Sequence, residues 1–300
     1  MLSSAQGDDV GTQYCICLNS HSSVSLGVLP SSPAEGDDLD IMTLDLRMLA
    51  EQLTLLELRM FRAIPLSELI GQRWAKGNGS KDAPHVTRLV RFFNSLSKWV
   101  ASSVVLEMNL AHRRSLVLRF IELSHKLMKQ RNFNSMFAVA CGLELIHVSR
   151  LRNTWKGVAA NVKQYNKFHK VLEYCKPEAN YPAYRCALRE AAINPSEFFL
   201  PYLGLFLRDL TLAEEGNPAE MESGEINWER YEVISEILRQ VQLYQKRTTE
   251  IAENPVYQDF LARGICYIDA DGELYRLSLE REARYQRVRS SVGTLGNAES

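Results

Sequence analysis

The stretch "LFLRDLTLAEEGNP", residues 205 to 218, sets Glu214 and Glu215 side by side at the end of an apolar run, just before Gly216. Carboxylates there face the negative end of a helix dipole, at a cost of roughly 0.3 to 1 kcal/mol each if exposed. As plain solvated residues before a glycine cap they end a helix acceptably in steric terms and poorly in electrostatic ones. The pattern therefore points to something outside the helix that wants negative charge, while leaving the solvated reading open.

Other chemistry-bearing patterns are absent or incomplete. The chain has no Walker A loop, GxGxxG, HExxH or GxSxG. His112, His125, His147 and His169 fall on expected helices or their ends, and none is spaced from another His, Cys or carboxylate as a metal site requires. They read as exposed or core histidines. "DADGE" at 269 to 273 resembles a calcium loop and places Glu280 twelfth from Asp269, but Leu274 stands at the sixth position, where the sharp turn needs glycine. No nucleophile–base or metal constellation emerges, so neither metal nor cofactor is expected.

Composition narrows the class further. Of 300 residues, 46% are hydrophobic, enough for a real core. Lys plus Arg number 35 against 36 Asp plus Glu, a net charge of -1, so no global basic field recruits nucleic acid or anionic lipid. No segment approaches the roughly 18 to 20 apolar residues that span a bilayer, and the N-terminus carries no signal-peptide pattern. Six cysteines without a CxxC pair fit a reducing, cytoplasmic setting. Cys15 and Cys17 could hold metal or an acyl chain, but without nearby partners they read as a pair of no function.

The elements that must position the two glutamates are helices. Residues 1–39 are rich in Ser, Gly and Asp and read as a flexible leader. Leu46, Leu49, Leu53, Leu56 and Met60 then recur at steps of three and four, one stripe of a helix that Pro65 stops. A short segment runs from Pro65 to about Trp74, followed by a Gly-Asn-Gly loop. Val86 to Val104 repeats the helical period, and another helix covers about Leu110 to Met128. Asn134 is expected to cap "SMFAVACGLELI", Asn180 to precede "YPAYRCALREAA", and Asn227 to open a long helix to about Thr249. Pro255 and Gly264 bracket a further helix, with "VKQYNKFHKVLEY" between. Strand alternation is nearly absent and no period repeats. The expectation is one irregular all-α domain over residues 40–285 and a flexible tail over 286–300.

Five blocks carry a resemblance: "AEQLTLLELRMFRAIPLSELIGQRW", "RLVRFFNSLSKWVA", "NFNSMFAVACGLELIHVSRLRNTW", "YLGLFLRDLTLAEEGNP" and "ELYRLSLEREAR". In this order the chain resembles the catalytic domain of Ras-type guanine-nucleotide exchange factors over about 240 residues. The resemblance implies an all-α domain with a protruding helical hairpin, its first helix at about 201 to 214 and its second from near Asn227. It implies binding to a small GTPase of the Ras or Rap type and exchange of its nucleotide without covalent chemistry, so not an enzyme in the bond-making sense. The partner would be that GTPase, with no nucleic acid and no direct membrane insertion; membrane recruitment would come through the GTPase or regions outside this chain.

The resemblance further implies residue roles. Leu210 and Thr211 would crowd the GTPase's metal-binding region, and Glu215, with Glu214 less directly, would stand in for displaced phosphate charge. Arg91 and Asn94, one turn apart, would meet the mobile switch. Asn134 would contact the partner or cap its helix, and Tyr202 would anchor the hairpin base or pack in the core. Trp74, Trp99 and Trp155 read as core. The chain departs from the family pattern ahead of Tyr202, where "NPSEFFLP" stands for Pro-Pro-Cys-apolar-Pro, at Glu229, where a lysine is common, and at Ala283, where proline is usual. A reshaped hairpin base leaves an alternative reading, a GTPase-binding module that does not catalyse exchange. No helical module precedes the domain within residues 1 to 40.

Overall fold

The computed structural model describes residues 40–75 and 79–283. The expected leader, the Cys15–Cys17 pair, most of the Gly-Asn-Gly loop and the tail lie outside them. Among the described residues every regular element is helical: α1 (Leu46–Arg62), a 3-10 turn (Leu66–Leu69), α2 (Gly79–Asp82), α3 (Pro84–Leu106), α4 (Leu110–Lys129), α5 (Phe133–Glu144), α6 (Ile146–Ser149), α7 (Arg152–Ala159), α8 (Val162–Cys175), α9 (Pro182–Ile193), α10 (Leu203–Glu215), α11 (Trp228–Gln245), α12 (Pro255–Arg263) and α13 (Asp271–Arg281).

The stretch "FNSMFAVACGL" of α5 has no charged residue and is buried throughout, with Glu144 following only at the helix's last position. A helix without a solvated face must lie at the centre. α3 and α4 flank it, α1 packs across α3, α4 and α5, and α7 and α8 cover α4. The last elements close the ring against α1: Gln52 donates to the Ala252 carbonyl at 2.8 Å, and its own oxygen accepts from the Asn254 amide at 3.0 Å. Trp99 is buried, whereas Trp74 and Trp155 are only partly covered by the core.

Asn227 starts α11 as expected, its side chain accepting from the Arg230 amide, and α12 begins at the expected Pro255, with Asn254 as its cap. One capping expectation is corrected. Asn132, not Asn134, caps α5, accepting from the Ser135 amide at 3.0 Å. The chain reverses at Arg131 (φ 58°), so the helix starts two residues early and takes Asn134 into its first turn. Asn180 precedes α9 as expected: it sits in the left-handed region, Tyr181 holds the cap position, and Asn180 accepts from Arg185. α11 ends at Gln245, short of Thr249, because Arg247 turns inward to the carbonyls of Ala191 and Asn194. The "DADGE" segment leads into α13, with Ala270 at its N-cap and Asp271 to Glu273 in its first turn.

Candidate functional site: a helical hairpin on an aromatic base

The hairpin is α10 and α11, joined by residues 216–227. Its base is fixed before α10 begins. Leu200 pairs with the chain at Arg131 to Phe133, donating to the Arg131 carbonyl at 2.9 Å and accepting from the Phe133 amide at 2.9 Å. The departure "NPSEFFLP" therefore builds an ordered base here, with Phe199 stacked on Phe133 at 4.8 Å. Tyr202 lies nearly parallel to Phe137, ring centroids 4.4 Å apart, and touches Phe93 of α3 at 5.3 Å. Such pairs add about 0.5 to 1.5 kcal/mol beyond the area they bury. Gly204 makes the stack feasible, since a Cβ there would fall 2.3 Å from the Tyr202 ring.

The first amides of a helix have no partner within it. At α10 the N-cap Tyr202 supplies no side-chain bond. Two distant side chains serve instead: the Tyr184 hydroxyl accepts from the Tyr202 amide at 2.8 Å, and Asn134 Oδ1 accepts from the Leu203 amide at 3.2 Å. Asn134 and Tyr202 are both buried, so in this conformation they hold the hairpin from beneath. Along the stem, Asp209 pairs with Arg185 of α9 at 2.6 Å.

At the tip the expected site residues separate. Leu210 shares a face with Phe206, whose ring meets Tyr244 of α11, and it is fully buried. In this conformation Leu210 therefore packs in the core. Thr211 and Glu215, one turn apart, lie on another face; Thr211 is half-buried, its hydroxyl donating to the Leu207 carbonyl at 3.0 Å. Glu215 is exposed, and no hydrogen bond or ion pair reaches it among the described residues. Leu212 beside it is 54% exposed. Glu214 is half-buried and accepts from the Gly71 amide at 2.7 Å, tying the tip to the loop after the 3-10 turn. Gly71 has φ +72°, which a side chain would strain. Between that loop and α11 lies a groove of about 540 Å³, bordered by Leu66, Ile70, Tyr231, Ile234 and Leu238.

Arg230, which sequence reasoning missed, answers the frustrated helix end. Its Nη1 donates to the Glu214 carbonyl at 2.7 Å and to the Asn217 carbonyl, placing a cation at the C-terminus of α10. On α3, Arg91 is exposed and Asn94 half-buried, on either side of Phe93, which packs on the hairpin base. Phe93 thus ties the helix that carries them to the hairpin base. No three His, Cys, Asp or Glu side chains converge to hold a metal ion among the described residues, and no described helix is long and apolar enough to cross a membrane.

The RasGEF domain model matches residues 48–232, more than half of the chain. This protein belongs to the RasGEF domain family. All eight expected site residues lie inside the matched region, while most of α11 and all of α12 and α13 lie beyond it. It is 32% identical over 259 residues to Ras guanine nucleotide exchange factor P of Dictyostelium discoideum, covering 86% of this chain and 16% of that protein. It is 30% identical over 242 residues to Ras-specific guanine nucleotide-releasing factor 2 of Mus musculus, covering 81% and 20%. The chain thus spans a fifth or less of these relatives' length.

Proposed function

We propose that residues 40–285 form a unit that catalyses guanine-nucleotide release from a small GTPase of the Ras or Rap type, on the cytoplasmic side where such partners reside. The observation that carries this reading is Glu215, an exposed carboxylate without a partner among the described residues, at the end of a helix whose other end is locked in the core. A GTPase holds its nucleotide with a lysine, backbone amides around the phosphates, and Mg²⁺. Glu215 would offer those donors a carboxylate in place of phosphate, lowering the free energy of the emptied site. Thr211 and the exposed Leu212 would enter beside the metal region without ligating it. Arg91 and Asn94 would engage the mobile switch from α3, while Asn134, Tyr202 and Leu210 keep the hairpin rigid.

No bond forms or breaks in this scheme. If the domain weakens nucleotide binding by some factor, nucleotide weakens the domain's grip by the same factor, so incoming nucleotide expels it. Each 1.4 kcal/mol of that coupling is worth about tenfold. The test follows release of a fluorescent guanine nucleotide from a panel of Ras and Rap proteins with unlabelled nucleotide in excess. Faster release with catalytic amounts of this protein is expected; no acceleration from any member, including tight association without release, would overturn the reading.

A further inference from the structure

Glu57 of α1 is fully buried, and among the described residues no cation is paired with it. Its two carboxylate oxygens accept from Asn134 Nδ2 at 2.8 Å, from Asn132 Nδ2 at 2.9 Å and from Ser135 Oγ at 2.6 Å. All three donors belong to the cap and first turn of α5, where the helix dipole favours an anion. Burial pushes the Glu57 carboxyl above its ordinary value, and the hydrogen bonds from Ser135, Asn134 and Asn132 pull it back. Both Glu57 oxygens accept here, Oε1 from the Asn134 amide nitrogen, and this decides which way the Asn134 amide points. With the Asn134 nitrogen held by Glu57, its oxygen is left facing the Leu203 amide, the first of α10.

We propose that Glu57 is a positioning residue for nucleotide exchange: through Asn134 it holds the first turn of the hairpin at one angle to the core. The inference rests on the reading of the α10 tip as the acting end. α10 rises 1.5 Å per residue, so its 13 residues form a lever of about 18 Å, and a tilt of about 10° at Leu203 would carry the tip by about 3 Å. Displacements of about 1 Å can already cost on the order of a hundredfold in positioned chemistry.

Two variants of the chain, Asn134→Ala and Glu57→Gln, and their double variant test this by two readouts. The first is hydrogen exchange of the Leu203 to Leu205 amides in the protein alone. The second is the nucleotide-release rate at saturating exchange factor, a plateau that partial unfolding of the catalyst does not lower. Asn134→Ala is expected to speed exchange at Leu203 and to lower the plateau by about tenfold or more, with a smaller change in the half-saturating concentration. Because Glu57 acts through Asn134, Glu57→Gln should lower the plateau alone and add nothing to Asn134→Ala. Unchanged plateau and protection in folded Asn134→Ala, or effects that multiply in the double variant, would overturn the proposal. Should Glu57→Gln not fold, the Asn134→Ala readouts decide it. If the unaltered protein accelerates release from no GTPase, the functional reading fails, and the amide readout still reports whether Asn134 holds the hairpin.

Discussion

Glu214 accepts the backbone amide of Gly71 at 2.7 Å, and this bond distinguishes two carboxylates that are neighbours in the chain. Successive helical residues point about 100° apart. Glu214 therefore turns towards the loop after the 3-10 turn, whereas Glu215 is exposed and has no hydrogen-bond or ion-pair partner among the described residues. One acid holds the tip in place, and the other is left available.

Replacing each glutamate by alanine should separate these roles. Glu215→Ala is expected to leave the urea unfolding midpoint within about 0.5 kcal/mol of the parent, as for an exposed residue without partners. Nucleotide release should slow by about tenfold or more, the loss of about 1.4 kcal/mol from a charge aimed at the emptied site. Glu214→Ala should instead cost about 1 to 2 kcal/mol of stability through the lost bond to Gly71. Equal effects of the two variants on both measurements would contradict the division of labour.

Arg230 donates to the Glu214 carbonyl, one of the last of α10, and to the Asn217 carbonyl just beyond it. Arg230→Met keeps much of the apolar stem while removing the donors and the charge. It should lower unfolding free energy by about 1 to 2 kcal/mol, from a lost cap and an uncompensated helix terminus. Urea titration measures the loss, and amide exchange should rise over residues 212–217 first. A stability unchanged from the parent would show that the carbonyls find other donors.

Gly204→Ala should destabilise by about 1 to 3 kcal/mol, because its Cβ would displace the Tyr202 ring from its stack on Phe137. The cause is checked by the double variant with Tyr202→Leu, in which the clash is gone. The alanine should then cost less than it does alone; a full additive loss would place the strain elsewhere.

Much of this organisation is legible in residue spacing. The α1 stripe, the α11 start at Asn227 and the Pro255–Gly264 bracket are local signals, and local physics decides them. The apolar helix ending in two acids is a local signal too, whereas its place in a hairpin is implied only by the family resemblance. Leu210 carries a readable sign of burial, since Leu203, Phe206, Leu210 and Ala213 recur with helical period and are all buried. Glu57 also does: it stands four residues after Leu53 and four before Phe61, in the middle of the buried stripe of α1. A carboxylate at such a position must find donors, yet the spacing does not say which. Asn132, Asn134 and Ser135 come from 75 to 78 residues away, and only the tertiary fold brings them together. The same holds for Arg230 and Gly71, whose partners are set by how the hairpin closes.

The pH dependence of stability should report on two buried histidines. Burial is the main cause holding His125 below its ordinary value of 6.5, with Lys167, Lys129 and Lys170 adding to it and Glu122 opposing. His147 is likewise lowered by burial, with Asp271 pulling the other way. A histidine whose folded pKa is depressed contributes fully above the unfolded value, and the contribution is lost as pH falls below about 6.5 through the folded value, because the unfolded chain then binds more protons. Glu57 and Glu144, both raised by burial, act in the opposite sense: their neutral forms favour the fold, and that contribution is lost as pH rises through their folded values. The parent and a His125→Gln, His147→Gln variant share the carboxylates, so the difference between them isolates the histidines. Urea midpoints measured from pH 7.5 down to 5 should fall more steeply in the parent than in the variant, beginning near pH 6.5. Parallel profiles across that range would mean that both imidazoles accept protons in the folded protein as freely as in the unfolded one.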